Sequence, residues 1–306
     1  MRVGFIGLGK MGMRMIRRLL PKFQVVAYDL SPEKVEEASH MGAIPAYSLE
    51  EVVERLPPPR VIWMMIPAGR PVDEVVSTLK PLLSEGDVLI DGGNSFYKDS
   101  IRRAEELREG GVEYLDVGTS GGIEGAERGL SLTVGGSQEA FSSVEPLLRE
   151  LAAPGGLCYC GPSGSGHYVK MVHNGIEYAL LQAYGEGFEM LRSAPYRLDL
   201  AKIARTWNNG SVIRSWLLEL AVRVFEKEPG LEGIVGEVGG GETGRWMVEE
   251  ALKREVPTPL ICLALLMRYR SRQEDSFAGR VVAALRREFG GHGLRRREPK
   301  ERGRDL

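Results

Sequence analysis

The chain has 306 residues, 43% hydrophobic and 27% charged, with a formal net charge of −2. That length accommodates two domains with sizeable cores, and the near-neutral balance gives no drive toward nucleic acid or an acidic membrane surface. The sequence lacks a run of about 18 apolar residues, the length needed to span a bilayer. The apolar start Met1-Arg2-Val3-Gly4-Phe5-Ile6 is too brief for a signal peptide, so cytoplasm is the expected compartment.

Apolar runs at residues 3–6, 24–28, 61–66, 88–91, 114–117 and 130–134 predict strands, and helical periodicity between them covers 13–20, 71–83, 101–108 and 139–151. Unbroken apolar strands separated by helices indicate a mainly parallel, doubly wound sheet. Beyond Gly161-Pro162-Ser163-Gly164 the pattern is helical only, over 167–192, 200–208, 211–227, 245–254, 259–270 and 276–289. This predicts an α/β domain over 1–162 followed by an all-α domain over 163–306. The charged stretch Arg295-Arg296-Arg297-Glu298-Pro299-Lys300 has no apolar periodicity and reads as a solvated tail. Cys158, Cys160, Cys262 and the four histidines form neither a disulfide framework nor a metal-ligand pattern, so no metal is expected.

Gly7-Leu8-Gly9-Lys10-Met11-Gly12 follows the first strand and opens a helix. In that context the first glycine permits a tight turn, the second lets the backbone approach a pyrophosphate, and the third allows close helix–strand packing. The helix N-terminus adds a favourable field for phosphate. The N-terminal domain is therefore expected to be a Rossmann-type dinucleotide site. Asp29, 17 residues past Gly12, ends the second strand. A carboxylate there accepts ribose hydroxyls and repels a 2′-phosphate. Because Ser31 followed by Pro32 fits a helix cap, Asp29 is expected to be free for the ribose, with NAD preferred and NADP possible.

The segment from Gly166 to Tyr178 carries the most chemistry. At helical spacing Lys170, His173, Asn174, Glu177 and Tyr178 share one face, while Val169, Val172, Ile176, Ala179, Leu180 and Ala183 form the other and are expected to pack into the core. Lys170 and Glu177 lie roughly 10.5 Å apart along the axis, too far to pair directly but suited to a ligand lying along the helix.

Lys170-Met171-Val172-His173-Asn174-Gly175-Ile176-Glu177-Tyr178 resembles the active-site helix of the 6-phosphogluconate dehydrogenase family, within the β-hydroxyacid dehydrogenases. Asp91-Gly92-Gly93-Asn94-Ser95 and Ser120-Gly121-Gly122 resemble its substrate loops, and Thr243-Gly244-Arg245-Trp246 and Phe289-Gly290-Gly291-His292 extend the likeness across nearly the whole chain. The resemblance implies Lys170 as general base then acid, and Glu177 as proton donor. It implies Asn94, Ser120, Gly121, Gly122, His173 and Asn174 around the sugar acid's carboxylate and hydroxyls. Tyr178, Arg268, Arg286 and His292 would surround its phosphate, the last two from a neighbouring subunit. Gly7, Leu8, Gly9, Lys10, Met11, Gly12, Asp29, Ala68 and Asn94 would bind the cofactor.

The chain also departs from the family pattern. Gly241 stands where a phosphate-binding lysine is expected, with Arg245 as its nearest substitute. Leu30 replaces an arginine of NADP-using relatives, and Pro67 replaces a lysine near the nicotinamide. The chain lacks a second, duplicated helical half and resembles the short, often NAD-linked branch. The implied reaction is oxidation of 6-phospho-D-gluconate at C3 followed by decarboxylation to D-ribulose 5-phosphate in the pentose phosphate pathway, by a homodimer or homotetramer. A 3-hydroxyisobutyrate-type dehydrogenase acting on a non-phosphorylated substrate is the alternative, and a non-catalytic NAD-binding regulator is the alternative from another class.

Overall fold

The computed structural model describes residues 1–290, 293 and 295. Its first part is an eight-stranded sheet with the order β3-β2-β1-β4-β5-β6-β7-β8. The strands are β1 (Arg2–Ile6), β2 (Gln24–Tyr28), β3 (Ile44–Pro45), β4 (Val61–Met64), β5 (Val88–Asp91), β6 (Glu113–Ser120), β7 (Leu130–Gly135) and β8 (Ala152–Gly161). Strands β1 to β6 pair in parallel, β7 runs antiparallel to β6, and β8 is parallel to β7. The helices of this part are α1 (Lys10–Leu19), α2 (Pro32–His40), α3 (Leu49–Glu54), α4 (Arg70–Leu79), α5 (Tyr97–Arg108), α6 (Gly122–Arg128) and α7 (Gln138–Leu151). The doubly wound, mainly parallel α/β fold expected from the sequence is present.

The unbroken apolar strands follow from burial on both faces. Val3, Phe5, Trp63 and Ile90 point into one core cluster beneath α1 and α7, whereas Ile6, Ile62, Met64 and Leu89 point into the other beneath α3, α4 and α5. Alternate residues of a strand thus feed opposite cores.

The remaining helices are α8 (Ser165–Arg192), α9 (Leu200–Asn208), α10 (Trp216–Lys227), α11 (Glu242–Lys253), α12 (Pro259–Arg270) and α13 (Phe277–Gly290). The chain divides into two compact units. One comprises Met1–Leu180 with Glu242–Ile261, and the other Leu181–Gly241 with Cys262–Leu306. The second unit has its own small core, in which Phe188, Ala204, Leu218, Val222 and Phe225 pack together.

Several expectations need correction. β4 stops at Met64 rather than at residue 66; Met65 and Ile66 are irregular backbone, although the Met65 N–H still donates to the Ile6 carbonyl at 2.7 Å. Residues 211–215 are not helical, since the Ser215 hydroxyl accepts the Leu218 N–H at 3.1 Å and so begins α10. β3, α3, α6 and β8 carry too little periodicity to have been expected. The side chain of Ser31 makes no cap bond to α2 and instead donates to Glu33 at 2.5 Å.

Candidate active site

The glycine turn is built as its chemistry requires. Gly7 adopts φ +98°, and a Cβ there would lie 2.4 Å from the Met65 carbonyl. A Cβ on Gly12 would sit 2.0 Å from the Gly7 carbonyl, so α1 can pack this close only with glycine. Gly9 caps α1 and faces open space, leaving room for a pyrophosphate at the helix N-terminus. Lys10 is exposed, whereas Leu8 is buried and Met11 packs against the core, so the last two side chains are structural. Ala68 is half-buried in the turn after β4.

Asp29, expected to be free for the ribose, already holds local partners. Its Oδ2 accepts the Leu8 N–H at 2.7 Å, and its Oδ1 accepts from Ser31 N at 3.0 Å and Lys34 Nζ at 3.3 Å. A carboxylate has about four lone-pair positions, so capacity for ribose hydroxyls remains. The residues present fit a dinucleotide. Leu30 is 90% exposed and offers no cation for a 2′-phosphate.

The catalytic candidates converge on α8. Lys170 Nζ donates to Ser120 Oγ, at the end of β6, at 2.7 Å. Burial pushes the Lys170 amine below its ordinary 10.5, opposed by the charge of Glu177. His173 Nδ1 is 3.0 Å from Asn174 Oδ1 and 3.9 Å from Glu177 Oε2. The buried Asn174 donates to Asn94 Oδ1 at 3.5 Å, and Asn94 Nδ2 donates to Thr243 Oγ1 at 3.3 Å. Lys170, Ser120, His173, Asn174, Glu177 and Asn94 are therefore brought together. Gly121 and Gly122 follow Ser120 with φ +124° and +57°, backbone conformations that favour glycine. Tyr178 is half-buried.

The faces of α8 differ from expectation. Val169, Ile176 and Leu180 are exposed, while Met171, Asn174 and Gly175 are buried. Gly175 explains itself: a Cβ there would meet Met247 Cγ at 2.9 Å and Ile261 at 3.2 Å, so α11 approaches α8 directly. Thr243-Gly244-Arg245-Trp246 opens α11, and Trp246 lies 5.0 Å from the Phe96 ring beside the Asn94 turn.

Residues expected at the phosphate end belong largely to the second unit. Arg268 Nη1 donates to the Gly239 carbonyl at 3.1 Å. Arg272 donates to the Val238 and Gly240 carbonyls of the same segment. Gly241 has φ +124°, a conformation a lysine would rarely adopt. In the first unit, Arg245 pairs with Glu249 at 3.6 Å. Arg286 is exposed on α13, and His292 lies outside the described residues.

Thr243 was read only as part of a motif, and Asp116 and Arg103 drew no reading from the sequence. Asp116, buried on β6, accepts the N–H groups of Gly164 at 2.6 Å and His167 at 2.8 Å and so caps α8. Burial raises its carboxyl, countered by His167 and those N–H groups. A lone Asp within an apolar strand was the only signal for it.

Comparison with known proteins gives a consistent result. Residues 2–164 match the family described as the NAD binding domain of 6-phosphogluconate dehydrogenase, and residues 166–301 match the 6-phosphogluconate dehydrogenase C-terminal domain. The NAD(+)-dependent, decarboxylating 6-phosphogluconate dehydrogenase of Haloferax volcanii is 50% identical over 301 residues, spanning 97% of this chain and 100% of that protein. The enzyme of the same name from Bacillus subtilis is 39% identical and covers 92% of this chain, which spans 64% of its length. The solved 6-phosphogluconate dehydrogenase of Plasmodium falciparum superposes with a TM-score of 0.82 at 31% identity, covering 98% of this chain and 67% of that one. The 3-hydroxyisobutyrate dehydrogenase of Mycobacterium tuberculosis shares the fold, with a TM-score of 0.70 at 22% identity over 93% of this chain and 99% of that one.

Proposed function

Because the chain belongs to the 6-phosphogluconate dehydrogenase family, we propose that it oxidatively decarboxylates 6-phospho-D-gluconate to D-ribulose 5-phosphate and CO2, using NAD in preference to NADP. The observation that carries this reading is the buried Lys170 amine held on Ser120, with Glu177 two turns along the same helix.

NAD, when bound at the glycine turn, supplies the acceptor for the C3 hydride. Lys170 in its neutral form, which burial favours, takes the C3 hydroxyl proton at Nζ as that hydride leaves. The ammonium so formed donates to the new C3 carbonyl oxygen and stabilises the charge that develops there as the carboxylate departs as CO2. Glu177 then protonates the carbon that lost the carboxylate, returning the enediol to a ketone. Asn94, Ser120, Gly121, Gly122, His173 and Asn174 orient the sugar acid. Tyr178, Arg268, Arg286 and His292 serve its phosphate, with Arg286 and His292 contributed by a neighbouring subunit. Gly7, Leu8, Gly9, Lys10, Met11, Gly12, Asp29, Ala68 and Asn94 serve the cofactor, largely through backbone at Leu8 and Met11.

Within this reading residues 1–162 bind the cofactor, and 163–306 complete the substrate site and the contacts of a homodimer or homotetramer. The proposed compartment is the cytoplasm; among the described residues no helix is long and apolar enough to cross a membrane.

The direct test follows NADH absorbance and CO2 release on adding 6-phosphogluconate. We expect equal yields of the two with NAD, and a rate with NADP lower by about tenfold or more, equivalent to roughly 1.4 kcal/mol of discrimination. No signal with either cofactor would sink the proposal, and turnover of 3-hydroxyisobutyrate alone would favour the non-phosphorylated alternative.

A further inference from the structure

Arg103 has no part in the chemistry above, yet it is a fully buried cation on α5. Burying a guanidinium is costly unless its donors are met, so its place calls for a reason. Its Nε donates to Asp73 Oδ1 at 2.9 Å, its Nη2 donates to the Gly69 carbonyl at 3.2 Å, and its Nη1 lies 3.6 Å from Asp91 Oδ2. One planar fork thus reaches both the turn after β4 and the end of β5.

Both segments border the reaction. Asp91 accepts from Gly93 N at 3.0 Å and from Ser95 Oγ at 2.7 Å, fixing the backbone on either side of Asn94. The turn over residues 65–69 is wedged between two glycines. A Cβ on Gly7 would lie 2.4 Å from the Met65 carbonyl, and one on Gly93 would lie 2.9 Å from the Ile66 carbonyl. A shift of this turn therefore moves against the dinucleotide turn on one side and the Asn94 turn on the other.

We propose that Arg103 is a positioning residue that holds the cofactor-receiving turn and the Asn94 turn in fixed register, so that hydride donor and acceptor meet correctly. A purely structural anchor predicts different behaviour. Without the guanidinium, Asp73 keeps Arg102 at 2.7 Å and an exposed side chain, and Asp91 keeps Gly93, Ser95 and the Tyr114 hydroxyl at 2.8 Å. Asp91 keeps its hydrogen-bond donors but loses a buried counter-charge, so some stability is lost together with the link to Gly69. A lysine cannot restore it, because a single ammonium does not reproduce the bonds to Asp73 and Gly69 together with the 3.6 Å ion pair to Asp91.

The inference rests on the dehydrogenase reading for its turnover measurements only. The test compares full-length Arg103→Met and Arg103→Lys with the parent in three respects: thermal melting, NAD affinity by fluorescence titration, and turnover of 6-phosphogluconate with protium or deuterium at C3. For Arg103→Met we expect a folded protein with a lowered melting temperature, since Asp91 loses a buried counter-charge. NAD affinity falls about tenfold, kcat falls about 10- to 100-fold, and the deuterium isotope effect on kcat rises as hydride transfer becomes limiting. Arg103→Lys moves the same way. Folded Arg103→Met with parental NAD affinity and isotope effect overturns the proposal. Should that variant not fold, parental values in folded Arg103→Lys overturn it equally. A parent that leaves 6-phosphogluconate untouched refutes the substrate reading instead, and NAD affinity alone then decides on Arg103.

Discussion

Lys170 pays for its role in stability. Its amine is buried against Ser120, and burial lowers its affinity for a proton below that of an unfolded lysine. In the window between that lowered value and the ordinary 10.5, the unfolded chain holds the proton more firmly than the native one. Stability therefore rises with pH across the window, and below it the penalty is fully present. Lys170→Met removes the penalty along with the base. We expect turnover to fall by at least about a thousandfold, NAD binding to persist, and melting near neutral pH to rise by about 2–4 °C. The gain should shrink as the melts are repeated at increasingly alkaline pH; a lowered melting temperature at neutral pH would contradict this account. The proposed roles of Lys170 and Glu177 came from the family resemblance, while the polar face of α8 was legible because a string of unlike polar residues there has no propensity to explain it. Asp116 and Arg103 were not, because each acts on segments distant in sequence, and no spacing along the chain encodes that.

At the scale of elements, the working unit is α8 seated on β6 and β7. A Cβ on Gly118 would lie 2.5 Å from Lys170 Cβ and 2.4 Å from Thr133 Oγ1, and one on Gly166 would lie 2.2 Å from the Asp116 carbonyl. The helix carrying Lys170 therefore rests directly on strand backbone, with Asp116 capping its first turn. Gly118→Ala should push the helix off this seat, lowering kcat about 10- to 100-fold and stability by about 1–3 kcal/mol. Gly185→Ala, also on α8 but with open space around its missing Cβ, provides the contrast. It should stabilise by about 0.5–1 kcal/mol through helix propensity. Denaturant curves and steady-state kinetics on both variants check this, and equal effects at the two glycines would refute the seat. The extent of α8 was readable from its period, but its faces were not. Periodicity defines an apolar stripe without saying what covers it, and Val169, Ile176 and Leu180 turned out to be exposed. β8 escaped notice because Ala152–Gly161 is glycine-rich and mostly half-buried, without alternation.

For the molecule as a whole, that uncovered stripe is what supports the proposed homo-oligomer. Three large apolar side chains along one helix are costly to leave in water, and a second copy would bury them. We expect Ile176→Glu to raise the dissociation constant of the assembly at least about tenfold, roughly 1.4 kcal/mol, and to make melting more dependent on protein concentration. Sedimentation velocity over a dilution series reads this, and an unchanged distribution would place the interface elsewhere.

The eight-stranded sheet bears on the same question from its two ends. β3 is two residues long, too short to template another strand. β8 is ten residues long but contains Pro154 and two register shifts against β7. Neither margin offers the flat, regular ladder that edge-to-edge growth requires. Self-association through helix faces can then close on a finite number of copies, whereas strand addition would have led toward open-ended fibres.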